Sequence, residues 1–278
     1  MRQWLRYIQV TIGSKEWDSD KIDIDFNHPF SADKEEPDVS EITLYNLSDS
    51  SINSIRKGQA VLLNAGYKGS YQARESVGNI LQGVVESVDT ERTETDKITT
   101  VTVSDDGIKW RLSTLSKTYQ AGSTASMIMN DLILYMGMDI GRLEPVRDKT
   151  YPRGYTVKGN INNALKRLVK DTKSKMYTNK GKVYIGASNK AIETSFVLEA
   201  KSGLLKTPER EIEEEEVGEG DKKKTKETIF WNVECQLHHE IDKGHKVKIK
   251  SQSINGWYKV VSGVHKGDFI TELKVQKV

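Results

Sequence analysis

The sequence has little cysteine, no long apolar run and no excess of charge of either sign. Its single cysteine, Cys235, excludes an internal disulfide and a cysteine metal quartet. No stretch approaches the roughly 20 apolar residues that a membrane-spanning helix needs, and Met1–Tyr7 carries two arginines and no signal-peptide core. The 42 basic and 40 acidic residues nearly cancel, so no global field draws the chain to nucleic acid or to an anionic membrane. We therefore predict a chain made in a cytoplasm that stays soluble until it meets a partner.

Catalytic motifs are also missing. No GxGxxG, GKS or GKT string marks a phosphate-binding loop, and no HExxH places two imidazoles on one helix face. The sharpest metal candidate is the group His238, His239, Glu240 and His245. Adjacent histidines on a strand point to opposite faces, and this spacing does not provide the geometry that zinc demands. We predict no metal site there.

Two further candidates have simpler interpretations as structural residues. Asp23 and Asp25 alternate with apolar residues, so both carboxylates share one strand face, as the paired acids of a glycosidase do. Nothing else forms a sugar cleft around them, which favours a solvated outer face. Cys235 lies mid-strand among apolar partners, which indicates a buried and inert thiol. We predict no catalytic residue, no cofactor and no enzymatic activity.

The first hundred residues show the period-two alternation of half-buried strands. Predicted strands are Gln3–Ile12, Lys21–Phe26, Val39–Tyr45, Val61–Tyr67, Val77–Val88 and Lys97–Ser104. Between the third and fourth strands, Ser48 is suited to cap a short helix that Gly58 ends, with Leu47 packed back on Ile52. This pattern predicts a barrel with a helical plug.

From about Asp106 the apolar period changes to about 3.6 residues. A helix over Thr124–Met136, capped by Ser123, is apolar around most of its circumference and is expected to be largely buried. A second helix follows Asn160 and carries one apolar stripe, and a hairpin turns at Asn179–Gly181. These elements predict a small α+β unit.

The last block, Gly203 to Val278, returns to strands. Its alternating segments are "NVECQL", "HKVKIK", "WYKVVSGV" and "FITELKV". Between Pro208 and Ile229 an acidic run is followed by a basic run, "EREIEEEEVGEGDKKKTKE", which predicts a mobile, solvated hairpin excursion. The predicted fold is mainly β with a small α+β insert: two tube-like antiparallel β-barrels at residues 1–105 and 191–278, the second with a charged loop at 211–227, flanking a helix-containing domain at 106–190.

Several motifs, in order, carry a resemblance to a known family. They are "NLSDSSINSIRKGQAVLLNAGYKG" and "GNILQGVVESV" in the first block, and "GLLKTPERE", "NVECQLHHEIDKGHKVKIKS" and "GWYKVVSGVHKGDF" in the last. The chain resembles the baseplate hub proteins of contractile phage tails, the late control gene D or tail hub family. The resemblance covers both ends and, more loosely, the middle.

The resemblance implies a structural protein of the virion tail baseplate, synthesised in the bacterial host cytoplasm. It implies a homotrimer whose six barrels form a pseudo-hexameric ring that lines the DNA channel. The implied partners are the tail tube protein hexamer, the central spike protein and other baseplate proteins. Tape measure protein and DNA would be transient contents of the channel, and no membrane is involved.

Two other classes remain open on the residues alone. The middle domain has roughly the parts of a LysM-like glycan- or peptidoglycan-binding module, in which Tyr151, Tyr155, Tyr177 and Tyr184 would stack on sugars. An enzyme would be either a metallohydrolase that uses His238 and His245 or a paired-acid glycosidase.

Overall fold

The computed structural model of the chain describes residues 5–69, 76–105, 107–217 and 224–278. The mainly β class with a helix-containing middle is confirmed. Among these residues, no helix combines the length and apolarity needed to cross a membrane.

The first part of the chain forms seven strands and one short helix. They are β1 (Leu5–Ile12), β2 (Lys15–Asp18), β3 (Ile24–Ser31), β4 (Val39–Tyr45), α1 (Asp49–Ile52), β5 (Ala60–Lys68), β6 (Gly78–Arg92) and β7 (Lys97–Ser104). The predicted cap is confirmed, because the Ser48 side chain accepts a hydrogen bond from the Ser51 N–H. The helix ends at Asn53, well before Gly58, and the sequence pattern did not predict β2.

The middle part contains three helices and seven short strands. They are α2 (Gly107–Leu112), β8 (Thr114–Tyr119), β9 (Ser123–Thr124), α3 (Ala125–Tyr135), β10 (Asp139–Leu143), β11 (Thr150–Tyr151), β12 (Tyr155–Asn160), α4 (Ile161–Asp171), β13 (Lys175–Asn179) and β14 (Lys182–Gly186). The Asn160 cap and the hairpin turn are confirmed, with Lys180 and Gly181 both at positive φ. Helix α2 is too short to show a period in the sequence.

Helix α3 differs from its prediction in two respects. Its cap is Thr124, one residue after the predicted Ser123. The prediction that it is largely buried is wrong for one face, since Met127 and Leu134 are 62% and 58% exposed while Leu132 is fully buried. Apolar residues around the helix therefore do not all face a core.

The last part forms a short 3-10 turn at Ala200–Ser202 and six strands. They are β15 (Val197–Leu198), β16 (Glu209–Val217), β17 (Lys224–Gln236), β18 (Lys246–Lys250), β19 (Asn255–Lys266) and β20 (Ile270–Lys277). The predicted mobile loop at 211–227 is wrong for 211–217 and 224–227, which lie in β16 and β17 and pair in antiparallel register. The hairpin excursion is confirmed, and residues 218–223 lie outside the described residues. Cations offset the acidic run, since Lys274 Nζ contacts carboxylates of both Glu211 and Glu213.

Strands of both ends belong to one sheet. Its order is β16-β17-β20-β19-β3-β4-β7-β6-β5-β1-β2, and off this path β18 pairs with β19 and β15 pairs with β18. The two ends join where β19 pairs antiparallel with β3, from Ser262–Ser31 to Lys266–Asn27. The prediction was two separate barrels. Among the described residues, the strands of both ends instead follow one another in a single open order, and this order does not close into two barrels.

Three clusters of buried apolar side chains form the cores. The first lies inside the N-terminal strands, with Leu237 and Phe269 from the last part; the second is entirely within the middle part; the third lies under the C-terminal strands, with Phe30 from β3. The first and third clusters therefore share side chains from both ends of the chain, which are joined where β19 pairs with β3.

Candidate functional site

The structure does not gather the candidate zinc ligands. Each histidine ring contacts a different backbone carbonyl: His238 Nε2 lies 3.0 Å from Ser202 O, His239 Nδ1 lies 3.1 Å from Ser76 O, and His245 Nδ1 lies 2.8 Å from Glu240 O. Within the described ranges, no three His, Cys, Asp or Glu side chains form a group that could hold a metal ion. A Cβ on Gly78 would come within 2.2 Å of the His239 ring, so this histidine packs the last part against β6.

The other chemical candidates also occupy structural positions. Asp23 and Asp25 are both exposed, and Asp25 Oδ1 accepts a hydrogen bond from the Phe26 N–H at 2.8 Å. Cys235 is fully buried, as predicted, and burial raises the pKa of its thiol to about 12. The reactive thiolate is therefore disfavoured at neutral pH.

The four tyrosines of the glycan alternative form two separate pairs. Tyr177 and Tyr184 stack on each other with ring centroids 5.0 Å apart, and Tyr151 and Tyr155 lie 4.8 Å apart at an angle of 56°. Tyr177 and Tyr151 are buried, and the Tyr151 hydroxyl donates to Asp171 Oδ2 at 2.8 Å. These rings pack on the protein rather than forming a shared flat platform for a sugar.

The structure does bring together a set of buried charges that the sequence analysis missed, at the place where the three parts of the chain meet. Lys243 is only 2% exposed, and its Nζ is ion-paired with Asp38 and lies 3.7 Å from Asp105 Oδ2. Asp38 immediately precedes β4 and Asp105 immediately follows β7. Because Val39 pairs with Ser104, the antiparallel ladder places the two carboxylates side by side. We use the name charged junction for these three residues together with four others described next: Lys180, Asp242, His28 and His265.

The middle part enters the charged junction through its hairpin turn. Lys180 Nζ lies 3.0 Å from Asp242 Oδ2 and donates to Asn79 O at 2.8 Å. The Gly181 N–H donates to Asp105 Oδ1 at 2.7 Å. Burial alone would raise the pKa of Asp242, but Lys180 and Lys243 hold it well below its usual range. Lys180 therefore ties the middle part to both other parts.

Two buried histidines complete the charged junction. His28 on β3 and His265 on β19 are register partners whose rings stack at 6.0 Å. His28 Nδ1 lies 2.6 Å from Ser40 Oγ, and His265 bonds Thr271 Oγ1 at 2.8 Å and Ile241 O at 3.0 Å. Burial lowers the pKa of His28 well below its usual value and that of His265 to about 4, so both rings are neutral at pH 7.

The charged junction is suited to fixing relative position. Lys243 and the three carboxylates are buried and Lys180 is half-buried. Their ion pairs and hydrogen bonds join the ends of β4 and β7, the β13–β14 turn and the segment between β17 and β18. Moving one member away would leave a buried charge without compensation, which is strongly destabilising. The sequence signal is the "DK" within "HHEIDKGH", which places Asp242 and Lys243 among the candidate zinc ligands.

Because His28 and His265 are neutral in the folded protein, we predict that its stability falls as the pH is lowered. Between about pH 6.5, where an unfolded histidine titrates, and the lower folded pKa, the unfolded chain binds protons that the folded chain excludes. The free energy of unfolding should therefore fall as pH drops from 7 to 5, approaching a slope of about 1.4 kcal/mol per pH unit for each histidine. Urea titrations across this range measure it. His28→Asn should reduce the slope by about one proton, and a slope equal to that of the unsubstituted protein would contradict the assignment.

No family model and no curated protein sequence matches the chain. Solved structures do match it along almost its whole length. The 43 kDa tail protein of prophage MuSo2 from Shewanella oneidensis superposes with a TM-score of 0.68 at 10% identity and covers 98% of both chains. The tail protein of Neisseria meningitidis MC58 has a TM-score of 0.65 at 8% identity, covering 99% of this chain and 97% of that one.

A third match comes from a secretion system. An E. coli component of the type VI secretion system, described as structurally similar to the T4 bacteriophage tail proteins gp27 and gp5, has a TM-score of 0.59 at 9% identity. It covers 97% of this chain and 76% of that one. At these identities the likeness establishes the fold. The predicted resemblance is confirmed at that level: this chain has the fold shared by phage tail proteins and their type VI secretion counterpart.

Proposed function

We propose that the chain is the structural baseplate hub of a contractile phage tail or tail-like particle. In this proposal three copies form a pseudo-hexameric ring that joins the tail tube to the central spike and lines the DNA channel. The observation that carries it is the superposition on two tail proteins over at least 97% of each chain, which leaves no large part of this chain for another task.

The partners follow from that position. They are the tail tube hexamer, the spike and other baseplate proteins, with tape measure protein and DNA passing through the channel. The protein would be made in the host cytoplasm and reside in the virion tail baseplate. The open ends of the sheet support assembly: β2 and β16 each have one strand neighbour among the described strands, and exposed edges of this kind are available for pairing with another chain.

A non-enzymatic role and a three-domain division belong to the same proposal. The three apolar cores support domains at 1–105, 106–190 and 191–278, with Leu237 and Phe269 contributed to the first core and Phe30 to the third across the junction of the two ends. The similar proteins are described as tail proteins, and the candidate catalytic residues of this chain serve packing and hydrogen bonding. The glycan-binding alternative loses its support at the paired, partly buried tyrosines.

The test is the mass of the protein in solution. We expect a trimer, or a monomer that becomes a trimer when spike or tube protein is added. Analytical ultracentrifugation measures the mass, and low-resolution imaging of the assembly should show a ring with a central opening. A stable dimer would contradict the proposal.

A further inference from the structure

Charge is distributed very unevenly between the parts of this chain. Residues 107–190 carry 16 Lys and Arg against 5 Asp and Glu, a net charge of +11, in a chain whose total is +2; the remaining residues therefore carry −9. The near-balance of the whole sequence hides this separation. Most of the −9 lies in residues 1–106, with 11 Lys and Arg against 19 Asp and Glu, whereas residues 191–278 carry 15 against 16. The acidic surface of the last part, described below, is therefore local to one hairpin.

The basic surface surrounds the end of α4, and we call it the basic socket: Arg147, Lys170, Lys173 and Lys175 around Val146. Val146 is 55% exposed, and its N–H bonds Ser174 Oγ at 3.0 Å. The Arg147 N–H bonds Thr172 O at 3.2 Å, so this segment runs beside the residues that follow α4. All four cations are exposed, and none forms an ion pair with a described carboxylate. A cavity of about 380 Å³ adjoins the socket, and it is lined by Lys170 and Lys175 together with Lys166 and its ion-pair partner Glu35.

The acidic surface lies on the β16–β17 hairpin, and we call it the acidic arm: Ile212 and Glu214 of β16 with Glu227 and Ile229 of β17. Strand β17 pairs with β20 only from Trp231 onward, so this part of the hairpin extends past the sheet. Ile212 and Ile229 are register partners, 47% and 42% exposed. Glu214 and Glu227 are the next partners on the same face.

The acidic arm contains a repulsion that an outside cation would relieve. Like charges directly opposite each other on paired strands are destabilising. No described lysine or arginine forms an ion pair with Glu214 or Glu227. A two-stranded ribbon without a third strand is also only marginally stable in water. The arm therefore presents an apolar pair followed by two carboxylates that lack a described counter-ion.

We propose that the acidic arm of one copy docks in the basic socket of a second copy. The Ile212–Ile229 pair then covers Val146, and the Glu214–Glu227 pair meets Lys170 and Lys173. Val146 lies among four cations, and the Ile212–Ile229 pair lies between the exposed Arg210 on one side and the Glu214–Glu227 pair on the other. The carboxylate end of the arm is therefore the part whose charge is opposite to that of the socket. Electrostatic complementarity of this kind selects the partner and fixes its orientation.

The two surfaces are different, so in a ring the contact runs head-to-tail from each copy to the next. Contacts of this type build rings when the rotation between copies closes. The inference deepens the proposed function, on which its biological meaning rests, by naming the surfaces that join neighbouring copies.

Charge reversal on each surface alone, and then on both surfaces together, tests the contact. The variants Glu214→Lys/Glu227→Lys on the arm and Lys170→Glu/Lys173→Glu on the socket alter exposed residues, and circular dichroism checks that both fold. Each alone should raise the concentration needed for self-association at least about tenfold, because like charges then face each other. Their combination in one chain should restore association. Glu91→Lys/Glu94→Lys, a reversal of two exposed glutamates on and beside β6, is the matched control and should leave association unchanged.

A crosslinking measurement covers the case of weak association. Because Cys235 is buried, Glu214→Cys and Lys173→Cys introduce the only accessible thiols. A mixture of the two variants should crosslink with a short bismaleimide, and either variant alone should not. Absence of crosslinking in the mixture would overturn the proposal. A trimer that persists in both charge-reversal variants would also overturn this contact, but it would agree with the proposed hub function. A dimer that both charge reversals abolish would support the contact and contradict the proposed hub function.

Discussion

Lys243→Met is expected to lower the free energy of unfolding by about 3–5 kcal/mol. The substitution removes the ammonium but leaves the Asp38 carboxylate buried without its cation. Breaking a buried pair from one side costs more than the pair itself contributes, because the remaining carboxylate must stay charged without a partner or take up a proton. Chemical denaturation at pH 7 measures the change.

A surface pair provides the control for Lys243→Met. Lys266 Nζ lies 2.6 Å from Glu272 Oε1, with both side chains substantially exposed, so Lys266→Met should cost less than about 1 kcal/mol. The double variant Lys243→Met/Asp38→Asn removes both charges and should recover part of the stability lost in the single variant. Equal effects of the two lysine substitutions would show that the charged junction is solvated.

Leu132→Asp should unfold the middle part. Leu132 is fully buried in α3, so an aspartate there would place an unpaired carboxylate in the second apolar core, at a cost of several kcal/mol. Loss of near-ultraviolet circular dichroism, together with rapid proteolysis within residues 107–190, is the expected result.

Leu134→Asp is the matched control on the same helix. It makes the same chemical change two residues away, but Leu134 is 58% exposed, so the expected cost is within about 1 kcal/mol. If both variants behaved alike, the burial of one face of α3 would be wrong.

The parts of the fold that follow a local rule were predictable. The strands at Val39–Tyr45 and Lys97–Ser104 coincide with β4 and β7, because each buries alternate residues. The caps at Ser48 and Asn160 were predicted because a side-chain oxygen at a helix start satisfies a backbone N–H within the same few residues.

What the sequence could not show depends on contacts between distant segments. Pairing of β19 with β3 determines that the two ends share one sheet, and no pattern within either strand specifies its neighbour. Met127 and Leu134 look like core residues because an apolar helix face does not reveal whether another element covers it.

The charged junction was missed for the same reason. Lys243 reads as a solvated turn residue, since its Asp38 partner lies 205 positions earlier in the chain. The loop prediction for 211–227 rested on repulsion within the acidic run. The run is held in β16 by its pairing with β17 and by an ion pair with Lys274, and neither contact is visible within the segment.

The junction between β19 and β3 also constrains the order in which the protein forms during translation. The edge of β3 leaves the ribosome early, yet the strand that covers it lies near the other end of the chain. Asp38 likewise precedes Lys243 by more than two thirds of the chain. Contacts so far apart in sequence form slowly, and an uncovered edge invites pairing with the wrong chain in the meantime. Completion of the fold therefore awaits the synthesis of Lys243 and β19, and a product that stops before Lys243 would lack both the counter-ion and the covering strand.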